Sequence, residues 1–385
     1  MSVRNMKGVL VVLFALGCGP RPSSARRTQA LVVTPQRQSF AQEKTSAART
    51  KVFPGRSWEK VARPEDVGWS SSKLEGAKAY SREVGSTAVM IVEGGRVVEE
   101  WGATARRINL FSVRKSFLSA LYGVYVAEGK IDLASTLGEL GIDDHPPRLN
   151  AVEKRATVRE LLQARSGVYH AAAYEAPRMK ALRPRRYSHA PGTFWYYNNW
   201  DFNALGTIFE RQTRRKIGDA FKERIAAPTG MEDFRAQDVW YEREPSSIHA
   251  AYPFRVSARD AARFGLLYLR GGEWQGREVI PAAWVAESTR VYSVAGGRGG
   301  YGYLWWVAAD GKHLPGVTIP DGSYSARGSG GQYILVIPEY DLVIVHRFDP
   351  ATAKPEEEVT PDKFGPLVKL ILDARPAGDA RANSG

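Results

Sequence analysis

Ser112 and Lys115 stand three residues apart, near the start of a segment whose apolar residues recur at helical spacing. Side chains three apart on a helix project from one face, so a hydroxyl and an amine placed in this way can meet. A serine hydroxyl is a weak nucleophile until a base removes its proton, and a desolvated lysine can be that base. The positive field at a helix N-terminus also favours a developing oxyanion. The pair predicts a nucleophile with its base, although Ser-x-x-Lys also occurs on solvated helix faces.

A tyrosine and an asparagine form a second candidate group, in a loop between two predicted helices. Tyr197 and Asn199 make a Tyr-x-Asn pattern, which offers a phenol and an amide to a cleft. A phenol beside a lysine ammonium is expected to have a lowered pKa and to pass protons to a leaving group. Because Tyr196 and Asn198 duplicate these residue types, the choice between Asn198 and Asn199 stays open. The alternative interpretation is an aromatic cluster with a turn.

Ala326, Arg327 and Gly328 form a third candidate segment, at the end of a predicted strand and followed by more glycines. Glycine in such a place lets a ligand approach the backbone of an edge strand closely. One N–H group from this strand, together with the N–H group of Ser112, would make an oxyanion hole. The alternative interpretation is a flexible turn.

Strand patterns lie towards both ends of the chain, and helical patterns fill the middle, roughly residues 130–285. This distribution predicts an α/β fold of the α+β sandwich kind, in which strands from both chain ends form one antiparallel sheet with flanking helices. The middle becomes an inserted, mostly helical lobe. The predicted elements of the sheet layer are a hairpin over 87–101, strands over 301–307, 323–328, 332–337 and 342–348, and a final helix over 362–374.

The net charge of +13 over 385 residues comes mainly from one end of the chain. Residues 1–56 contain ten Lys or Arg and one acid, Glu43, so this segment carries +9. The remainder carries only +4, which argues against a basic face and against nucleic acid as a partner.

The first 18 residues resemble an export signal, with a basic start and an apolar run over 8–16 that is too short to span a bilayer. The only cysteine, Cys18, ends this segment as in a bacterial lipobox, although leucine is usual where Ala15 stands. We expect an exported protein, periplasmic or anchored to the membrane by a lipid on Cys18; removal of Cys18 with the signal is the alternative. The predicted organisation is a signal over 1–18, a flexible basic linker over 19–56, a globular domain over 57–375 and a disordered tail over 376–385.

Six short segments, taken together and in order, carry more information than Ser112 and Lys115 alone. They are residues 111–117, 161–170, 191–199, 257–265, 301–306 and 330–332. In this order they resemble the serine β-lactamase and penicillin-binding-protein superfamily, of which Ser-x-x-Lys is a signature. The likeness is greatest to its class C and esterase-like branch, which includes the 6-aminohexanoate-dimer (nylon oligomer) hydrolases. It covers about residues 58–372 and implies a β-lactamase/transpeptidase-like fold.

The resemblance also implies roles for individual residues. Ser112 matches the acylated nucleophile, Lys115 its activating base, Tyr197 the proton shuttle and Asn199 the asparagine of Tyr-x-Asn. His170 is as readily structural, and the tryptophans are at least partly core. The candidate walls of the pocket are Tyr169, His170, Trp305 and Trp306.

One position departs from the pattern of this superfamily. Relatives that bind β-lactams or D-alanyl peptides carry a cation where this chain has Ala326, and strand alternation would point Arg327 to the other face. The sequence therefore favours a serine hydrolase that cleaves an ester or a small amide. The alternatives are a β-lactamase or DD-peptidase acting on envelope peptides, and a non-catalytic penicillin-recognising or scaffold module. No metal-ligand spacing occurs among the six histidines, so neither metal nor cofactor is expected, and the oligomeric state stays open.

Overall fold

Strands from early and late parts of the chain build the central layer of the fold. The computed structural model describes residues 51–352 and 358–376. The strands in these residues are β1 (Ala88–Glu93), β2 (Arg96–Gly102), β3 (Ile108–Asn109), β4 (Glu242–Glu244), β5 (Ser247–Ala251), β6 (Arg255–Val256), β7 (Glu273–Trp274), β8 (Arg277–Glu278), β9 (Ser293–Val294), β10 (Gly300–Tyr301), β11 (Trp306–Val307), β12 (Tyr324–Gly328), β13 (Gln332–Ile337) and β14 (Leu342–Arg347).

The central sheet has the strand order β2-β1-β14-β13-β12-β11-β10-β9, and its neighbouring strands run antiparallel. Strand β1 links the two ends of the chain, with Ala88 opposite Arg347 and Glu93 opposite Leu342. Strands β13 and β14 are buried along their whole length, because helices cover both faces of the sheet. The antiparallel sheet predicted from both chain ends is confirmed.

Helices cover the sheet on both sides and create two cores. Residues alternate along β1, so that Met90 contributes to one core and Ile91 to the other. The inner core lies on the side of α2 and α7 and includes Leu118 and Phe264, and the outer core lies between the sheet and the packed pair α1 and α9. The helices are α1 (Ser71–Glu83), α2 (Arg114–Ala127), α3 (Val158–Leu162), α4 (Pro177–Leu182), α5 (Asn199–Thr213), α6 (Ile217–Phe221), α7 (Ala258–Leu269), α8 (Ala282–Ser288) and α9 (Pro361–Asp373).

Two predicted elements differ in detail from the structure. The middle of the chain contains helices but also short strands, since β4 pairs with β5, β7 with β8, and β6 with β3. The strand predicted over 301–307 is divided into β10 and β11, which pair with each other. The chain reverses between them at Leu304, whose φ of +64° is incompatible with a continuous strand.

The start of the ordered domain lies earlier than the sequence indicated. The sequence predicts a flexible linker up to residue 56, yet Phe53 packs on Trp274 at a centroid distance of 5.3 Å, and Arg263 donates a 3.0 Å hydrogen bond to the carbonyl of Gly55. The partly buried Phe53 ring and the Gly55 carbonyl that accepts from Arg263 hold this stretch on the domain despite its low overall hydrophobicity. The predicted signal, Cys18, most of the linker and the tail from residue 377 lie outside the described residues.

Over 51–352 and 358–376, no helix is both long and apolar enough to cross a bilayer. The same residues contain no group of three or more His, Cys, Asp and Glu side chains placed to hold a metal ion.

Candidate active site

The chain makes a strained turn immediately before Ser112. Phe111 has a φ of +48°, in the left-handed region that a bulky residue rarely adopts. The Asn109 side chain holds this turn, since its Oδ1 accepts a 2.9 Å hydrogen bond from the Phe111 N–H and its Nδ2 donates a 2.8 Å bond to Tyr174 Oη. Ser112 then lies in the first helical turn, Phe111–Val113, where amide N–H groups lack intrahelical partners.

A buried arginine ties the strand before this turn to the central sheet. The Arg347 guanidinium donates hydrogen bonds to the carbonyl oxygens of Ile108 (2.8 Å) and Val256 (2.5 Å) and to Gln332 Oε1 (2.7 Å). Strands β3 and β6 are thereby held against β13 and β14. The position of Ser112 relative to the sheet is set by these bonds.

Lys115 connects the first two candidate groups. Its Nζ lies 2.9 Å from Ser112 Oγ, 2.8 Å from Tyr197 Oη and 2.8 Å from Asn199 Oδ1. The lysine is buried, with 1 % of its surface exposed, and the ring centroid of Phe202 lies 4.5 Å from Nζ. The amine is therefore enclosed by polar oxygen atoms and aromatic rings rather than by water.

Burial shifts the pKa values of Lys115 and Tyr197, and the sequence did not predict both directions. Loss of solvation lowers the pKa of Lys115 well below its usual range; repulsion from Arg114 adds to this, and Glu175 opposes it. Burial also raises the pKa of Tyr197 to about 12. The expected lowering of the phenol pKa is wrong, because a lysine driven towards its neutral form no longer supplies the cation on which that expectation depended. These two shifts favour an uncharged amine that can accept a proton and an uncharged phenol that can donate one.

The side chains of Asn198 and Asn199 have different hydrogen-bond partners. Asn198 is the N-cap of α5, and its Nδ2 donates hydrogen bonds to Val168 O (2.7 Å) and Asp201 Oδ1 (2.9 Å). Asn199 is the first helical residue, and it is the amide that contacts Lys115. The N-cap side chain folds back on its own helix, so the next residue faces the lysine.

The third candidate segment reaches Ser112 through its glycine. A Cβ atom added to Gly328 would lie 2.2 Å from Leu110 O and 3.2 Å from Ser112 N, so only glycine allows this approach of β12. The end of β12 therefore lies beside the Ser112 N–H, where the sequence predicted the two halves of an oxyanion hole.

Ala326 and Arg327 have opposite environments. Ala326 belongs to the inner core, whereas Tyr333, the cross-strand neighbour of Arg327, belongs to the outer core. The buried Arg327 guanidinium donates hydrogen bonds to Ser325 Oγ (2.8 Å) and His313 O (2.9 Å). The guanidinium also lies 5.1 Å from the Trp306 ring centroid, so Arg327 does not take the position of the cation that is missing at Ala326.

Three of the predicted pocket walls have other contacts. Trp305 is fully buried against Phe264, Tyr268 and Tyr324, so its prediction as a substrate-binding residue is wrong. His170 has its Nε2 3.1 Å from the carbonyl oxygen of His145, which is a structural contact. Tyr169 has its Oη 3.2 Å from His189 Nδ1 and its ring edge against Tyr196.

Trp306 lies beside the site instead. Its ring stacks on Tyr197 with centroids 5.4 Å apart and planes at 27°. Trp195 and Tyr301 also pack on Trp306, so an aromatic cluster supports the phenol.

Further residues of the site carried no sequence signal. Asn199 Nδ2 donates a 3.1 Å hydrogen bond to Tyr174 O, which orients the amide oxygen towards Lys115. The next residue, Glu175, has a side chain that is 1 % exposed and forms an ion pair with Arg183. Its negative charge acts on Lys115. Neither residue belongs to a recurrent motif, so only the fold reveals them.

With this geometry established, comparison with known proteins identifies the family. The family model for beta-lactamase matches residues 72–349. The chain belongs to the beta-lactamase family. It is thus a member of the serine β-lactamase and penicillin-binding-protein superfamily of hydrolases, and the resemblance found in the sequence is confirmed.

Solved structures of other beta-lactamase-like proteins share the fold at low sequence identity. A candidate 6-aminohexanoate-dimer hydrolase from Bacillus anthracis is 21% identical, with a TM-score of 0.59, and the match covers 84% of this chain and 88% of that chain. A beta-lactamase from Mycobacterium bovis is also 21% identical, with a TM-score of 0.56 and coverage of 78% and 98%. An uncharacterized protein of Alkalihalophilus pseudofirmus is 22% identical over 300 residues, which are 68% of this chain and 83% of that protein. At these identities the structural neighbours show the fold alone.

Proposed function

We propose that this protein is a serine hydrolase that cleaves an ester or a small amide through a covalent acyl-enzyme on Ser112. The observation that supports this most is the 2.9 Å contact between Lys115 Nζ and Ser112 Oγ. It joins a nucleophile to an amine whose pKa burial has lowered, and such an amine can act as a base at neutral pH.

In this mechanism Lys115 takes the proton of Ser112 while Oγ attacks the carbonyl carbon of the substrate. The oxyanion that forms would be held by the N–H of Ser112 and an N–H at the end of β12. Tyr197 then gives its proton to the leaving oxygen or nitrogen as the bond to the acyl group breaks, and it recovers a proton from Lys115. Water attacks the acyl-enzyme by the same route in reverse, which releases the acid and restores Ser112.

The preference for esters and small amides over β-lactams is supported by the third candidate segment, residues 326–328 of β12. Ala326 offers no cation at the position where β-lactam-binding relatives have one, and the Arg327 guanidinium is engaged by Ser325 and His313. A substrate whose binding depends on a cation at this place would lose that interaction.

The test is acylation of Ser112 followed by intact mass spectrometry. A fluorophosphonate probe, p-nitrophenyl butyrate and nitrocefin are offered to the wild type, Ser112→Ala and Ser116→Ala. Ser116 is a matched control, because it lies on the same helix but donates its hydroxyl to Leu304 O at 2.7 Å. Labelling and ester turnover in the wild type and Ser116→Ala, but not in Ser112→Ala, are expected. Equal labelling of Ser112→Ala, or no labelling of the wild type, would refute the proposal.

We also propose that the protein is exported and that Cys18 is its site of lipidation. The support is the order of basic, apolar and cysteine residues over 1–18. Labelled palmitate should enter the wild type and not Cys18→Ser when each is expressed in a bacterium. Cleavage after residue 18 without lipid incorporation would favour an ordinary signal peptide.

A further inference from the structure

One exposed arginine lies next to the aromatic cluster of the site. Arg298 ends the short helical turn Gly296–Arg298, just before β10. The backbone around it is held by a 2.8 Å hydrogen bond from Ala295 N to Gly299 O and by a 3.2 Å bond from Gly299 N to Gly296 O. Gly299 has a φ of +82°, and a Cβ atom there would lie 2.4 Å from two carbonyl oxygens, so this turn has a defined path. The base of the Arg298 side chain is therefore fixed.

The Arg298 guanidinium lies over Trp306. Its central carbon is 5.5 Å from the Trp306 ring centroid, within the range of a cation–π contact. Trp306 in turn stacks on Tyr197 at 5.4 Å, and Tyr197 contacts Lys115. The positive charge of Arg298 also acts on the Tyr197 hydroxyl, where it favours a lower pKa.

Two other arginines near this cluster are buried. Arg327 lies 5.1 Å from the same Trp306 ring centroid and donates hydrogen bonds to Ser325 and His313, while its Nη1 has no partner among the described residues. Arg114 lies beneath the site and donates a 3.1 Å bond to Asn203 Oδ1, while its Nε and Nη1 have no partner among those residues. Arg298 is exposed, and within 51–352 and 358–376 its contact is the Trp306 ring, with no hydrogen bond or ion pair to a carboxylate. It is therefore the guanidinium of this group that a ligand can reach.

We propose that Arg298 forms a carboxylate-binding subsite, so that the substrates are esters or amides whose acyl portion carries a carboxylate. This inference rests on the proposed function, because it concerns the same acyl-enzyme. A guanidinium presents a planar set of donors that matches a carboxylate, and the contact with Trp306 places this guanidinium beside the aromatic cluster that packs on Tyr197.

The test compares two esters of similar acyl length that differ in charge, p-nitrophenyl butyrate and mono-p-nitrophenyl succinate. We expect the wild type to prefer the succinate in kcat/KM, and the preference to weaken with added salt. Arg298→Ala should lower the ratio of succinate to butyrate kcat/KM by about tenfold or more, Arg298→Glu should lower it further, and Arg298→Lys should retain part of it. Arg277→Ala is the control, because Arg277 is an exposed arginine of the β7–β8 hairpin, and the ratio should not change.

The outcomes separate the two proposals. A ratio within twofold of wild type in Arg298→Ala would overturn the carboxylate subsite and leave the esterase proposal standing. An equal loss on both esters would also overturn it, since it would show that Arg298 merely covers Trp306. If the wild type hydrolysed neither ester and its Ser112 resisted the fluorophosphonate probe, the proposed function would fail and the subsite with it.

Discussion

Lys115 Nζ lies 2.8 Å from the amide oxygen of Asn199, and both side chains are buried. The neutral oxygen orients the amine without adding a negative charge beside it. Burial can therefore lower the pKa of Lys115, which a carboxylate in the same place would prevent. In the proposed mechanism, an amide at this position lets the buried lysine act as a base.

Asn199→Asp should move the acidic limb of the kcat/KM profile to higher pH. A carboxylate beside Nζ stabilises the ammonium, so the pKa of Lys115 should rise and activity at pH 7 should fall. Glu175→Gln is the opposite change, because Glu175 normally raises that pKa, and its acidic limb should move to lower pH. A pH–rate profile of each variant measures both shifts. If the acidic limbs of the wild type, Asn199→Asp and Glu175→Gln lay at the same pH, Lys115 would not be the titrating base.

Tyr197→Phe should lower kcat by about a hundredfold or more, because it removes the proton donor to the leaving group. The neighbouring Tyr196→Phe is a matched control, since the Tyr196 hydroxyl donates a 2.8 Å hydrogen bond to Met179 O, away from Lys115. Steady-state kinetics on a p-nitrophenyl ester measures both. A larger loss of kcat in Tyr196→Phe than in Tyr197→Phe would show that Tyr197 is not the proton shuttle.

The wild-type rate should show no alkaline fall until the pH approaches the Tyr197 pKa of about 12. The phenol acts in its protonated form, and burial keeps it protonated through the ordinary alkaline range. Measurement of kcat/KM up to pH 10.5, with circular dichroism to verify folding, provides the test. A fall centred near pH 9 in a folded protein would contradict this assignment.

Gly328→Ala should reduce kcat strongly, because the new Cβ would lie 2.2 Å from Leu110 O and would push β12 away from Ser112. Gly297→Ala is the control, because a Cβ there meets no atom within 4 Å. Burst-phase kinetics reports acylation, and thermal unfolding reports stability. If Gly328→Ala acylated as fast as wild type, the end of β12 would not contribute to the oxyanion hole.

His346 should make the fold less stable in acid. Its neutral ring has both nitrogens engaged, with Nδ1 2.6 Å from Gly331 O and Nε2 2.7 Å from Ser86 Oγ, and burial lowers its pKa to about 4. The unfolded chain takes up the proton near pH 6.5, so this stability is present above pH 6.5 and is lost as the pH falls towards 4. The loss amounts to about 3 kcal/mol.

Denaturant unfolding at pH 7, 6 and 5 measures this dependence. His346→Gln has no ring to protonate, so its free energy of unfolding should fall less over that interval than that of the wild type. Parallel curves for the two proteins would rule out His346 as the source of the acid sensitivity.

Much of the fold follows from local sequence patterns. Continuous apolar stretches predicted β13 and β14, and the helical spacing after Ser112 predicted α2. Both signals arise from periodicities that need no knowledge of the partner segment. The reversal at Leu304 and the docking of Phe53 depend on distant neighbours, and the sequence missed both.

By itself the sequence determined which residue types take part in the candidate site, because Ser112, Lys115, Tyr197 and Asn199 stand in short motifs with distinctive spacing. Tertiary structure decided the direction of their pKa shifts, since desolvation depends on what surrounds a group and reversed the expected pKa shift of Tyr197. It also decided which cation is available for a ligand. Charge at Arg298 matters only because β10 and β11 bring that loop over Trp306, a contact made by folding and not by spacing along the chain.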